Sequence, residues 1–195
     1  VMYEAMARVI LGWAVSNQDH ARAVEQISMG LAALDATSTV LVRPHFLALF
    51  AETMAKVGQT AQALRVVDEG LSLIQHNSES YYKAELYRLK GELLFKEATG
   101  QDLAQCVSAG AISIASIASK MKRCELIFNQ SIEIAEKQRA ESWRLRSTLS
   151  LARLYRYCGR AKKATELLTS IYDRFTEGFD TFDLVDVKEE LDQIA

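Results

Sequence analysis

The run HFLALFAETMAKVGQTAQALRVVDEGLSLI, from His45 to Ile74, decides the fold. It sets a large residue at Leu47, a small one at Ala51, a large one at Met54, a turn glycine at Gly58, and then Ala63, Val67 and Gly70. Ala63 and Gly70 are seven apart, about two helical turns, so both lie on one helix face. Small side chains on that face let a neighbouring helix approach closely. The same pairing recurs at Ala23 and Gly30, at Cys124 and Ser131, and at Ala164 and Ile171. Upstream of each pair stands a second apolar segment with its own small residue: Gly12 in VILGWAV, Ala51 in LALFAETM, Gly91 in YRLKGELL and Ala152 in LSLARLY.

A large, small, large, turn, small, large, small order over two helices resembles the tetratricopeptide repeat. LARLYRYCGRAKKATELLTSIY repeats it with Ala152, Tyr155, Gly159, Ala164 and Leu168, while Ile171 stands where a small residue is expected, as in a terminal repeat with looser packing. A generic helical bundle is the alternative, and the fourfold recurrence of the spacing weighs against it. The expected fold is all-α: a right-handed α-solenoid of about four tetratricopeptide-like helix pairs, one domain over 1–195, closed by a C-terminal capping helix.

Composition agrees. The chain has 195 residues, 49% of them apolar and 25% charged, a net charge of −2, a single proline (Pro44) and nine glycines. That suits a soluble helical protein with a substantial core and leaves long stretches without helix breakers. Cys106, Cys124 and Cys158 are odd in number and lack metal-ligand spacing, so neither a disulfide framework nor a zinc site is expected, and a cytoplasmic setting fits best. The opening VMYEAMARVILGW already has a helical pattern and lacks the features of a signal peptide. Its start at Val rather than Met suggests a piece of a longer protein.

The repeat spacing has one irregularity. Gly12 to Ala51 is 39 residues and Ala51 to Gly91 is 40, but Gly91 to Ala152 is 61. Within the second and fourth repeats the small residue of the first helix precedes that of the second by 12, whereas Gly91 precedes Cys124 by 33. The 21-residue excess marks 101–121 as an insertion in the third repeat. It contains all but the last residue of CVSAGAISIASIASKMK (106–122), too short and too serine-rich to span a bilayer, which needs about 20 mostly apolar residues. Gly100 and Asp102 supply a break and an N-cap, after which Leu103, Val107, Gly110, Ile114, Ile117 and Met121 recur at helical spacing. A helix is expected; β structure or disorder stays open because Ile112 and Ile114 also alternate. Twenty-one residues are close to six turns, so the insertion could lengthen the second helix of its repeat. It would then present Val107, Ile114, Ile117 and Met121 as an exposed stripe for self-association, with a flexible insertion as the alternative.

The segments RPHFLALFAETMAKVGQ, AELYRLKGELL, ESWRLRSTLSLARL and FTEGFDTFDL resemble the C-terminal tetratricopeptide region of large bacterial proteins that join a class III adenylate or guanylate cyclase domain to an AAA-type ATPase domain. The resemblance covers nearly the whole chain outside the insertion, and its most specific part is Glu141 to Leu184. It implies that catalysis resides in upstream domains. Consistently, the chain has no GxxxxGK[ST] phosphate loop and no paired-aspartate metal site. His20, His45 and His76 form no HxxxH or HExxH pair. No catalytic residue, cofactor or metal is expected. An enzyme with an unrecognised site is the weakest of the readings.

In such repeats the first helices line the concave face. That projection puts His45, Glu52, Lys56, Glu85, Arg88, Glu92 and Lys96 there, followed by Arg146, Arg153, Arg156 and Tyr157. Arg88, Glu92, Arg146, Arg153, Arg156 and Tyr157 are the expected partner-binding residues, and arginine forks suit an acidic peptide. An ordinary solvated face, neutralised by the acids that follow Asp173, is the alternative. No aromatic-interleaved basic platform for nucleic acid accompanies the arginines. The tail DLVDVKEELDQIA is expected to be the capping helix, with Gly178 ending the preceding helix and Asp183 as its N-cap. Function then lies between a regulatory scaffold acting on upstream domains of its own chain and a stand-alone adaptor for an acidic segment, with homo-oligomerisation open.

Overall fold

The computed structural model describes residues 2–37, 41–77, 80–105 and 114–194, without the side chains of 77 and 114–116. Among the described residues there are nine α-helices and no strand: α1 (Met2–Ala14), α2 (His20–Asp35), α3 (Arg43–Lys56), α4 (Thr60–Asn77), α5 (Lys83–Thr99), α6 (Ile114–Lys137), α7 (Glu141–Tyr157), α8 (Ala161–Tyr172) and α9 (Phe182–Ile194). The chain divides into two compact units, Val1–Leu93 and Leu94–Ala195, with the boundary inside α5. No described helix is long and apolar enough to cross a membrane.

In the first unit α1 packs on α2, α3 packs on α4, and α3 also meets α1 and α2. The close approach is built from glycines. A Cβ on Gly12 would come within 2.9 Å of the Ala23 carbonyl oxygen, and one on Gly30 within 2.9 Å of that of Ala5 and 2.6 Å of Val9 Cγ2. Gly70 is looser, since the nearest atom to its Cβ would be Leu86 Cδ1 at 3.1 Å. Around these contacts Val9, Ile27, Leu34, Leu47, Ala51, Ala63, Val67 and Leu86 are buried in one core.

In the second unit α7 packs between α6 and α8, and α9 lies on both α7 and α8. Its core includes Phe95, Phe128, Leu145, Leu154, Leu168 and Val187. Cys124, Ser131 and Ala164, three of the small residues found by spacing, are all buried. Ile171 is buried as well, so the larger residue is accommodated rather than exposed.

Three helices end in the same way. After α3, Gly58 has φ 79°, its N–H donates to the Ala55 carbonyl and that of Gln59 to Met54 (2.9 Å). After α7, Gly159 has φ 72°, and the N–H of Arg160 donates to the Tyr155 carbonyl at 2.8 Å. These are Schellman caps, which satisfy carbonyls left over at a helix end and need a left-handed residue. At the end of α6 that residue is Arg139, with φ 55°.

The insertion is only partly within the described residues. Asp102 precedes a short 3-10 turn, Leu103–Gln105, instead of capping a long helix, and it pairs with Lys96 at 2.9 Å. Cys106, Val107, Gly110, Ala111 and Ile112 lie outside the described residues, and Ile114 is described only in its backbone. Ile114 to Met121 form the first turns of the 24-residue α6. Ile117 and Met121, expected on an exposed stripe, are instead buried. Gly178 does not end α8, which stops at Tyr172; it sits in the α8–α9 connection with φ 74°. Thr181, not Asp183, stands before α9, and its carbonyl accepts the Val185 N–H at 3.0 Å.

Packing and capping each carry a consequence for stability. Gly30→Ala should lower it by about 1–3 kcal/mol through overpacking against backbone that cannot yield, whereas Gly70→Ala should be near neutral because Leu86 can turn away. Arg139→Gly should raise stability by up to about 1 kcal/mol by relieving a left-handed non-glycine residue. Urea unfolding midpoints check all three, and equal loss at Gly30 and Gly70 would contradict the packing account.

Candidate partner-binding surface

The first helices of the first unit are tied by polar side chains. Trp13 Nε1 on α1 donates to Glu52 Oε2 on α3 at 2.8 Å, and Glu52 Oε1 lies 3.8 Å from Arg88 Nη2 on α5. Arg88 donates twice to Glu85, through Nε and Nη2 at 2.8 Å each, and through Nη1 to Glu92 at 2.6 Å. The spacings i+3 and i+4 put both carboxylates within reach of one guanidinium on the same helix. Burial works against the Arg88 charge, but Glu85, Glu92 and Glu52 outweigh it and hold the group protonated far above neutral pH. Arg88 and Glu85 are therefore buried structural partners, while Glu52 and Glu92 keep part of their surface. His45 stacks on Tyr82 at 4.3 Å between ring centroids, and burial lowers its pKa against the opposing pull of Glu85.

In the second unit the arginines of α7 hold α9. Arg153 Nε donates to Glu190 Oε2 at 2.9 Å and its Nη2 donates to Asp186. Arg156 Nε lies 3.0 Å from Glu190 Oε1, and its Nη1 donates to Gln193 at 2.8 Å. Arg146 Nε is 3.8 Å from Asp183 and its guanidinium lies over the Trp143 ring. Burial opposes the Arg153 charge, and Glu190 with Asp186 raise its pKa above the usual arginine value. Glu190 is only 2% exposed, so one buried carboxylate bridges two arginines. These arginines do not line an open surface, because the acids placed C-terminally by the sequence fold back onto them. Tyr157, expected at the partner face, is 1% exposed and packs edge-on against Phe95. Its aromatic bulk fills core rather than meeting solvent.

A further cluster surrounds Glu125 on α6. Tyr155 OH donates to it at 2.7 Å and Arg160 Nη2 at 2.9 Å, while the Arg160 guanidinium and Lys163 ammonium sit 4.2 and 4.3 Å from the Tyr155 ring centroid. Burial raises the Glu125 pKa, but the bonds from Arg160 and Tyr155 and the charges of Arg160 and Lys163 bring it below its usual 4.5. Local pattern could not find this residue, since its partners lie 30 to 35 positions away.

The remaining candidates take structural roles. Nδ1 of His20 and of His76 each meets a carbonyl one turn back, Ser16 and Ser72 respectively. Burial pushes the Cys124 thiol up to about 12 and also raises that of Cys158, so both stay protonated at neutral pH.

No family model and no curated protein matches the chain. Solved structures do. A crystal structure of nearly identical TPR-like repeats from a candidate kinesin light chain of Podosopora anserina superposes with TM-score 0.65 at 17% identity, covering 100% of this chain and 86% of that one. A singly substituted form of the same repeats gives 0.67 at 16% identity, covering 99% and 85%. The chain therefore has the all-α fold of tetratricopeptide-like repeats, as the spacing of its small residues leads one to expect.

Removing Glu190 should leave two arginines without their shared counter-charge. Glu190→Ala is expected to cost about 3 kcal/mol, and Asp192→Ala, in the exposed pair with Lys188, under about 1 kcal/mol. For Glu125 the lowered folded pKa means that its contribution is present above the unfolded value and is lost as pH falls through the folded one. Glu125→Gln should therefore reduce stability at pH 7 and flatten the decline below pH 4.5, read from chemical unfolding across a pH series.

Proposed function

We propose that the chain is a protein-interaction and regulatory scaffold that carries out no reaction of its own and belongs to the C-terminal part of a cyclase- and ATPase-type signalling protein. The fold supports the coarser half of this reading, since tetratricopeptide-like repeats generally mediate protein–protein contacts. The resemblance of Glu141 to Leu184 supports the finer half. The protonated thiols of Cys124 and Cys158 also favour packing over nucleophilic chemistry. Under this reading, the partly exposed Glu52 and Glu92, held in register by Arg88, are the partner-contacting charges of the first unit. Sequencing the gene upstream of Val1 tests the proposed parent: cyclase and ATPase motifs there would support it, and their absence would remove it.

The second reading is an adaptor for an acidic segment in trans, and one observation favours it. The row Arg146, Arg153 and Arg156 already engages an acidic helix, the chain's own α9, through Asp183, Asp186 and Glu190. The same row would accept an acidic helix from elsewhere once α9 is displaced. A labelled peptide copying residues 180–195 should bind a chain truncated before Phe182, more weakly at high salt, and should not bind when Arg153 and Arg156 are both Ser. Circular dichroism confirms that the truncated chain is folded, and a full-length chain with Asp183, Asp186 and Glu190 neutralised provides a second host. Absence of binding to either folded host would end this reading.

A further inference from the structure

One face of α1 differs from its counterparts. Aligning the first helices on Gly12, Ala51 and Gly91 sets Tyr3, Ala7, Ile10 and Ala14 level with Val42, just before α3, and Phe46, Leu49 and Thr53 of α3, and with Tyr82, just before α5, and Leu86, Leu89 and Leu93 of α5. Spaced i, i+4, i+7 and i+11, each set shares one helix face. In α3 and α5 that face is largely covered: Phe46 and Leu86 are 3% and 0% exposed, Thr53, Leu89 and Leu93 are buried too, and Val42, Leu49 and Tyr82 are half-buried. In α1 it is bare. Tyr3 is 79% exposed and Ile10 49%, Ala7 and Ala14 are exposed, and Leu11 beside them is exposed as well. The opposite face of α1, with Ala5, Val9 and Gly12, is buried against α2.

Among the described residues, what covers this face elsewhere is the second helix of the preceding pair. In two of the three cases the contact runs through a small residue. Helix α2 lies on α3. Gly70 of α4 faces Leu86 of α5, and Ser131 of α6 shares a 2.7 Å hydrogen bond with Ser147 of α7, the position level with Ala7.

We infer that the Tyr3–Ala7–Ile10–Ala14 face is the docking surface for the second helix of a further helix pair of this repeat, preceding α1 in the same polypeptide. The occupant is an amphipathic helix that sets a glycine, alanine or serine against Ala7, flanked by branched aliphatic residues that cover Tyr3 and Ile10. The neighbouring polypeptide is the source because each contact of this type joins helices consecutive in the chain, where a short tether supplies a high effective concentration. A second copy offers a poorer fit. The small residues of its described second helices are already committed, Gly30 to α1, Gly70 to Leu86, and Ser131 to Ser147, while Ala164 is buried.

The test compares this 195-residue chain with its natural polypeptide extended upstream by about one repeat, roughly 40 residues. Each carries Ile10→Cys, and labelling at position 10 is followed by mass spectrometry with light scattering for mass. The expected result is rapid labelling in a monomeric short chain and labelling slowed about tenfold or more in the extended one. Ala7→Glu should restore fast labelling in the extended chain. Equal rates in the two chains, or an upstream sequence without a helix pair, would overturn the inference. So would a short chain that is dimeric and becomes monomeric on Ile10→Asp, because that would make the occupant a second copy.

Discussion

The fold rests on how closely two helices can approach. Gly12 and Gly30 place backbone against backbone between α1 and α2, where even a methyl group would meet a carbonyl oxygen. At that separation the larger residues on either side, Val9, Ile27 and Leu34, interlock and leave water, and their burial supplies most of the favourable free energy. A helix pair has two further faces, however, and each stays apolar until another pair covers it. Stacking is thus a consequence of the close contact, and it explains why equivalent positions are covered on α3 and α5 and bare on α1.

Charge in this protein is used mainly to fix register. Asp183, Asp186 and Glu190 run up α9 in the same order as Arg146, Arg153 and Arg156 run up α7, so the two helices point the same way. Apolar contacts through Leu184 and Val187 drive α9 onto the unit, but such contacts tolerate sliding. A carboxylate shared by two guanidiniums does not. Buried ion pairs contribute little net stability over apolar replacements, and their value here is that only one placement of α9 satisfies them. The Glu85–Arg88–Glu92 set does the same for the side chains on α5 and, through Glu52 and Trp13, extends to α3 and α1.

The arginines that look like a binding surface in the sequence are therefore part of the protein's own construction, engaged with the acids of α9. The chain's composition already contains both halves: a basic α7 and an acidic tail within one net charge of −2.

Helix pairs, their small-residue contacts and the glycine turns were legible from the sequence, since they depend on neighbours within two turns or on a spacing that repeats. Ala63, Cys124, Ser131 and Ala164 were found by that spacing and all lie buried. The alignment of charge was only half legible. The tail's acids were evident, but which arginine each would meet depends on the path of 173–181, and no local pattern specifies it. Glu125, Tyr155 and Arg160 converge only because α6, α7 and the start of α8 are packed together. Ile117 and Met121 show the same limit from the other side, for periodicity identified an apolar stripe and only tertiary packing decided that it faces inward. A sequence fixes what a helix face is made of; the free energy of covering that face decides where it goes, and this is a property of the whole packed chain.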